Sequence, residues 1–193
     1  MSRHDTYEQA LAHLHRCLQV EVMCSPKPFS WLRTIHKAIK CPDRRFNFWW
    51  RIASHLFQTG GKRKKNLALR INRGLLARYG ADFGLGASIG EGLRVLHTVG
   101  TTITSEAVIG KNFVLRQNTT IGTQHPERTV RVQIGDNVNV GANSCIIGDD
   151  FLIGDNTTIG AMSYINKSIP PNSIVYTKKT NQIVEKTQPA PAH

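Results

Sequence analysis

The chain of 193 residues is marked first by what it lacks. It has no apolar run of about 18 residues, so no segment reads as a membrane-spanning helix. It has only four cysteines, Cys17, Cys24, Cys41 and Cys145, and none forms a CxxC pair. It opens on no secretory signal, so a reducing cytosolic setting is expected. Acidic residues are scarce in one part only. Residues 1–80 hold 16 Lys+Arg against 4 Asp+Glu, whereas residues 81–193 hold 9 of each. The whole net charge of +12 therefore sits ahead of residue 81. Such a surface suits an anionic glycan, an anionic membrane or nucleic acid, or is a solvated helical face. Apolar residues make up 40% of the chain, enough for a packed core.

The basic part reads as helical. In "DTYEQALAHLHRCLQVEV", Asp5 and Glu8 form a candidate capping box, and Tyr7, Leu11, Leu14, Leu18 and Val22 follow at helical spacing. Pro26 and Pro28 end that pattern. "RRFNFWWRIASHLF" predicts a second helix, with Phe46, Trp49, Trp50, Ala53 and Phe57 mostly on one broad face. "GGKRKK" reads as an exposed turn, and "NLALRINRGLLARYG" as a third helix capped by Gly80. Trp49 and Trp50 beside arginines suit a membrane interface or packing against a neighbouring helix or subunit.

From about residue 82 the period changes to six. Ile103, Ile109, Leu115 and Ile121 are spaced by six, as are Ile134 and Val140, and Ile153, Ile159 and Ile165. Gly follows many of them. Six residues accommodate one short strand and one tight turn, so the pattern predicts a solenoid whose coils stack at strand spacing, roughly 4.8 Å. Three breaks are visible. Val95 to Ile103 contains two extra residues around "HTVG", Ile121 to Ile134 leaves "TQHPERTVRVQ" as an excursion, and Val140 to Ile153 holds one extra residue near "IIGDD".

This pattern resembles the hexapeptide-repeat acyltransferases, whose fold is a left-handed parallel β-helix. Residues 80–175 are similar to the serine acetyltransferase branch, which includes colanic acid and capsule O-acetyltransferases. The stretches that carry the resemblance are "IGEGLRVLHTVGTTITSEAVIGKNFVLRQNTTIG", "VQIGDNVNVGANS" and "IGAMSYINKSIPPNSIV". The expected fold is mainly β, a left-handed parallel β-helix over residues 81–176, preceded by an α-helical region over 1–80 and followed by a tail over 177–193. The resemblance also implies a homotrimer with acetyl-CoA between neighbouring β-helices. In that family the histidine of "HxxG" is the general base, matched here by His97-Thr98-Val99-Gly100. The aspartate fifteen residues earlier pairs with it, matched by Asp82, which otherwise reads as a helix-to-strand turn residue. A neutral imidazole can take the proton of an attacking hydroxyl, and a carboxylate on its other nitrogen fixes the tautomer.

Two departures fall on the acceptor side. The serine enzymes keep an aspartate immediately before the histidine, where this chain has Leu96. They also keep an Arg-His pair in the later loop, where this chain offers only Arg131, Arg128 and His125 as acceptor-binding candidates. The expected activity is therefore acetyl-CoA-dependent O-acetyl transfer to a sugar hydroxyl of a surface polysaccharide, with serine O-acetylation as the alternative and a non-enzymatic binding module as a third reading. Gly122, Ala142 and Ala161 are small enough to serve either coil geometry or a cofactor groove. Lys178 and Lys179 are candidates for the phosphates of CoA. No metal is expected, because the repeats carry only His97 and His125. A cytoplasmic protein is expected, in peripheral contact with a membrane or anionic glycan through its basic region; a nucleic-acid partner is not.

Overall fold

The computed structural model describes residues 3–125, 131–178 and 180. Helix α1 (Arg3–Leu18) continues into one π-helical turn, Gln19–Met23. Helix α2 spans Trp31–Lys40, α3 spans Pro42–Thr59 and α4 spans Lys62–Tyr79. Pro42 opens α3 at a position whose missing N–H costs no hydrogen bond. Gly80 closes α4 as expected, with φ +62° and its N–H bonded to the Leu76 carbonyl. One expectation needs correction: the turn is only Gly60–Gly61, since Lys62–Lys65 form the first turn of α4. Helix α2, which the sequence reading did not include, starts just beyond the prolines from extended backbone at Ser30.

Among the described residues fourteen short strands follow, and every pairing among them is parallel. In chain order the first coil holds β1 (Ala81–Phe83), β2 (Ser88–Ile89) and β3 (Arg94–Leu96), and the second β4 (Thr101–Ile103), β5 (Ala107–Ile109) and β6 (Val114–Arg116). The third holds β7 (Thr120–Gly122), β8 (Val132–Ile134) and β9 (Asn139–Val140), and the fourth β10 (Cys145–Ile147), β11 (Phe151–Ile153) and β12 (Thr158–Ile159). Strands β13 (Tyr164–Ile165) and β14 (Ile174–Val175) finish the stack. Each strand bonds to the strand three places on, except that β14 follows β12, which gives sheets of five, four and five strands. This is the expected parallel β-helix.

The hexad residues stack into interior ladders. Phe83, Ile103, Ile121, Ile146 and Ile165 run up one sheet, and Ile89, Ile109, Ile134 and Ile153 up the second. Most are under 4% exposed, so each contributes roughly 1.5–3 kcal/mol of burial. The turn residues stack as well. Asn112, Asn137, Asn156 and Asn172 share φ of 55° to 58°, and each side-chain amide donates to the next asparagine's Oδ1 at 2.9–3.0 Å. Asparagine tolerates this left-handed backbone and adds a hydrogen bond per coil.

The helices are not a separate body. Phe46, Trp50, Ala53, Ala68 and Leu75 share one apolar core with the first coils. A buried ion pair fixes the docking. The Glu21 carboxylate accepts from Arg51 Nε at 3.0 Å, from Arg51 Nη2 at 2.6 Å, and from the backbone N–H groups of Gly92 and Leu93 at 3.1 and 3.0 Å. The guanidinium also donates to the carbonyls of Ile89 and Gly90, both at 2.7 Å. Burial opposes the charge on Arg51, but Glu21 more than offsets it and holds the pKa above its ordinary value.

Candidate active site

His97 stands at the corner between β3 and β4. The register counts the insertion that puts it there. Leu96 faces Arg116 and Thr102 faces Thr120, so five residues lie between the paired positions at this corner where the next coil has three. His97 adopts φ +73°, a left-handed conformation uncommon for a residue with a side chain. The turn is held on three sides. The Thr98 carbonyl accepts from both the N–H (3.1 Å) and the hydroxyl (2.6 Å) of Thr101, Gly100 donates to the Gly80 carbonyl at 2.8 Å, and Val99 accepts from Asn118 at 3.0 Å. The imidazole is exposed at the corner rather than folded into the core. Left-handed backbone recurs at this corner in Asn118, Asn143 and Met162 of the later coils.

Beside it lies an open cavity of about 430 Å³, within the usual range for small-molecule sites. The corner supplies Leu96, His97 and Thr98, while the helices supply Asp43, Phe46 and Tyr79. The helical contribution was not legible in the repeat. It arises because the start of α3 and the end of α4 meet at this corner, where the Phe46 and Tyr79 rings lie edge to face at 5.8 Å. The cavity thus offers one carboxylate, the part-exposed Tyr79 and an imidazole, over a floor that includes buried Phe46.

Asp82 lies on β1, outward-facing and exposed, in register with Thr102. It sits two residues beyond Gly80, whose carbonyl bonds the His97 turn. No hydrogen bond joins Asp82 to His97 among the described residues. The acceptor-side candidates separate. Arg128 lies outside the described residues. Arg131 is exposed, and its backbone N–H donates to Asp150 Oδ1 at 3.1 Å. His125 bonds through Nδ1 to Asp149 at 2.5 Å, and Asp149 also accepts from the N–H groups of Gln124 and His125. These bonds, led by the one to the His125 ring, hold Asp149 below the usual carboxylate range. The arrangement clasps the start of the excursion loop to the next coil. Asp149 belongs to the one-residue insertion that the spacing revealed.

Three cofactor-side candidates share the edge that His97 begins. Ala142, Ala161 and Lys178 lie where successive strands of the β3–β6–β9–β12–β14 sheet end, and the Ala142 carbonyl accepts from Met162 at 2.8 Å. Lys178 is exposed; Lys179 lies outside the described residues. Gly122 ends β7 at the next corner. A Cβ there would meet only Ile147, at 3.8 Å, so coil stacking does not require glycine. Gly141 differs, since a Cβ would fall 2.4 Å from the Ala161 nitrogen. Among the described residues no cluster of three or more His, Cys, Asp or Glu is placed to hold a metal ion.

The family model described as the hexapeptide repeat of succinyl-transferase matches residues 131–150. The match falls on the third and fourth coils. The chain is 36% identical over 117 residues to serine acetyltransferase 3, mitochondrial, of Arabidopsis thaliana, covering 57% of this chain and 28% of that one. It is 35% identical over 101 residues to the putative colanic acid biosynthesis acetyltransferase WcaB of Escherichia coli (strain K12), covering 52% of this chain and 62% of that one. It therefore spans less than two thirds of either relative. Its fold is similar to serine acetyltransferase isoform 3 of Entamoeba histolytica, solved with cysteine, with a TM-score of 0.71, 23% identity, and 93% of this chain and 62% of that one covered. The serine acetyltransferase of Neisseria gonorrhoeae gives a TM-score of 0.71, 24% identity and coverage of 95% and 71%. The structural likeness extends over the helices as well as the coils.

Proposed function

We propose that this chain is an acetyl-CoA-dependent O-acetyltransferase, that His97 is its general base, and that its acceptor is a sugar hydroxyl of a surface polysaccharide or its precursor. One observation carries the reading. A two-residue insertion presents an imidazole on left-handed backbone beside a cavity large enough for one sugar unit. The acceptor hydroxyl binds in that cavity, with Asp43 taking its other hydroxyls and Tyr79 offering an apolar face. The His97 imidazole takes the hydroxyl proton as the oxygen attacks the thioester carbonyl. The tetrahedral intermediate collapses, the C–S bond breaks, and the departing thiolate takes the proton from the imidazolium. The acetyl group ends on the acceptor and CoA leaves as the thiol.

Asp82, on the first strand of the coil that His97 ends, is proposed as the carboxylate that orients His97. Acetyl-CoA is proposed to lie along the edge from His97 past Ala142 and Ala161 to Lys178, three coils or more of roughly 4.8 Å each. The free space at Gly122 supports an open groove at the neighbouring corner. Assembly as a homotrimer is part of the same proposal, and Arg131, Arg128 and His125 are its acceptor-side candidates. Leu96 disfavours free serine, whose ammonium group needs a carboxylate. Asp43 is the observation that keeps serine as a second reading, because it places one carboxylate in the cavity. Thiol release from acetyl-CoA, measured with serine and with a panel of sugars and polysaccharides, separates the two. Efficient turnover with free serine would overturn the sugar assignment.

A further inference from the structure

Helix α2 carries three distinct arcs at about 100° per residue. Thr34 and Ala38 face the protein and are buried. Leu32, Ile35 and Ile39 form a second stripe that nothing in the protomer covers, at 81%, 44% and 68% exposure. Arg33, Lys37 and Lys40 form the third arc. The chain has no carboxylate between Glu21 and Asp43. Exposed Trp31 begins the helix. At its other end Arg45 donates to the carbonyls of Ala38 and Ile39 at 3.1 and 2.6 Å, which adds another cation there. Trp49 lies one turn further along the same face of α3 as Arg45 and is 43% exposed. Trp50 is fully buried and donates to the Phe83 carbonyl, so only one of the tryptophan pair faces outward.

We propose that α2 docks this protein on an anionic lipid bilayer, with Leu32, Ile35 and Ile39 in the acyl boundary and Arg33, Lys37 and Lys40 at the headgroups. An apolar stripe bordered by cations, with aromatic residues at its ends, is the pattern of an interfacial helix. Charge decides the occupant. A second copy docked through the same face would set this basic arc against another, with Asp43 the one carboxylate between Glu21 and Asp82 in sequence to pair with it. An anionic bilayer supplies both the apolar layer and the negative charge. Among the described residues no helix is long or apolar enough to cross the membrane, so the contact is peripheral. Helix α2 leads directly into α3, whose residue Asp43 lines the His97 cavity. Docking through α2 therefore holds that cavity near the headgroups, where a lipid-linked acceptor would be presented. This consequence rests on the proposed function, whereas the docking does not.

The test is co-sedimentation of the full chain with vesicles of phosphatidylcholine alone and of phosphatidylcholine mixed with phosphatidylglycerol. Salt-sensitive binding to the mixed vesicles is expected, with tryptophan emission quenched by brominated acyl chains. L32S/I39S should weaken binding at least about tenfold, since burying one such side chain is worth roughly tenfold or more, and K37E/K40E at least about tenfold, given about fivefold per surface charge. Both variants should keep the parent's circular dichroism, oligomeric mass and thiol release with soluble acceptor. Absence of vesicle binding would overturn the proposal. So would full binding by L32S/I39S, which would report charge attraction alone, or a change in its oligomeric mass, which would make the stripe an interface between copies. Lost thiol release in the parent with vesicle binding intact would strike the proposed function and leave the docking standing.

Discussion

Replacing Arg51 with Met should destabilise the fold by about 3–5 kcal/mol, although no residue of the His97 site is touched. The guanidinium is 5% exposed and the Glu21 side chain beside it is fully buried. Removing Arg51 leaves a buried carboxylate with only the Gly92 and Leu93 N–H groups and a long contact to Asn47 at 3.5 Å. It also leaves the Ile89 and Gly90 carbonyls without their guanidinium donors. An uncompensated buried charge typically costs about 3–5 kcal/mol, and breaking the ion pair from either side should cost a similar amount. The double variant Glu21→Leu/Arg51→Met has no stranded charge, so its loss should fall well below the sum of the single losses. Urea unfolding followed by tryptophan fluorescence and far-ultraviolet circular dichroism gives the three values and the coupling energy. Losses below about 1 kcal/mol, or strict additivity, would refute the claim that this pair clamps the helices to the first coil.

Acidification should weaken the helical layer first. Burial holds His13, His15 and His55 below their ordinary value of 6.5, with Arg51 adding to the effect at His13. The unfolded chain then binds more protons as pH falls through about 6.5, so stability should drop there, and a melting temperature that is flat between pH 7.5 and 5.5 would contradict this. The buried Nε2 of His15 has no partner, which makes its protonation especially unfavourable. Gly141→Ala should lower stability by about 1–3 kcal/mol because its Cβ meets backbone, while Gly122→Ala should leave unfolding within about 0.5 kcal/mol of the parent and raise KM for acetyl-CoA if the groove passes there. Maleimide should label exposed Cys24 readily in the native protein and leave Cys17 unmodified, since burial pushes the Cys17 thiol up to about 12.

The period of six made the β-helix legible because every sixth residue points inward from the next of three faces, so residues a full coil apart, such as Ile103 and Ile121, share an interior ladder. Breaks in the period located both the His97 corner and the Asp149 clasp, since an insertion in a stacked coil must leave it. The helical contribution to the site was hidden. Asp43, Phe46 and Tyr79 come together only when α3 and α4 dock, and helical spacing does not say which coil they meet. Helix α2 was not predicted; it is only ten residues long and follows closely on Pro26 and Pro28. Glu21 and Arg51 each interrupt an apolar face, which was a visible signal of a buried pair. The resemblance paired Asp82 with His97; in the structure Asp82 lies at the start of the first coil and His97 at the corner that ends it, without a hydrogen bond between them among the described residues.

The central claim is that the His97 corner performs acyl transfer. Thiol release from acetyl-CoA should be measured with a responsive acceptor for the parent and for His97→Asn, with circular dichroism and oligomeric mass recorded for both. The account predicts a loss of about 10²–10⁴ in kcat with an unchanged fold. A variant that keeps parental kcat would contradict it.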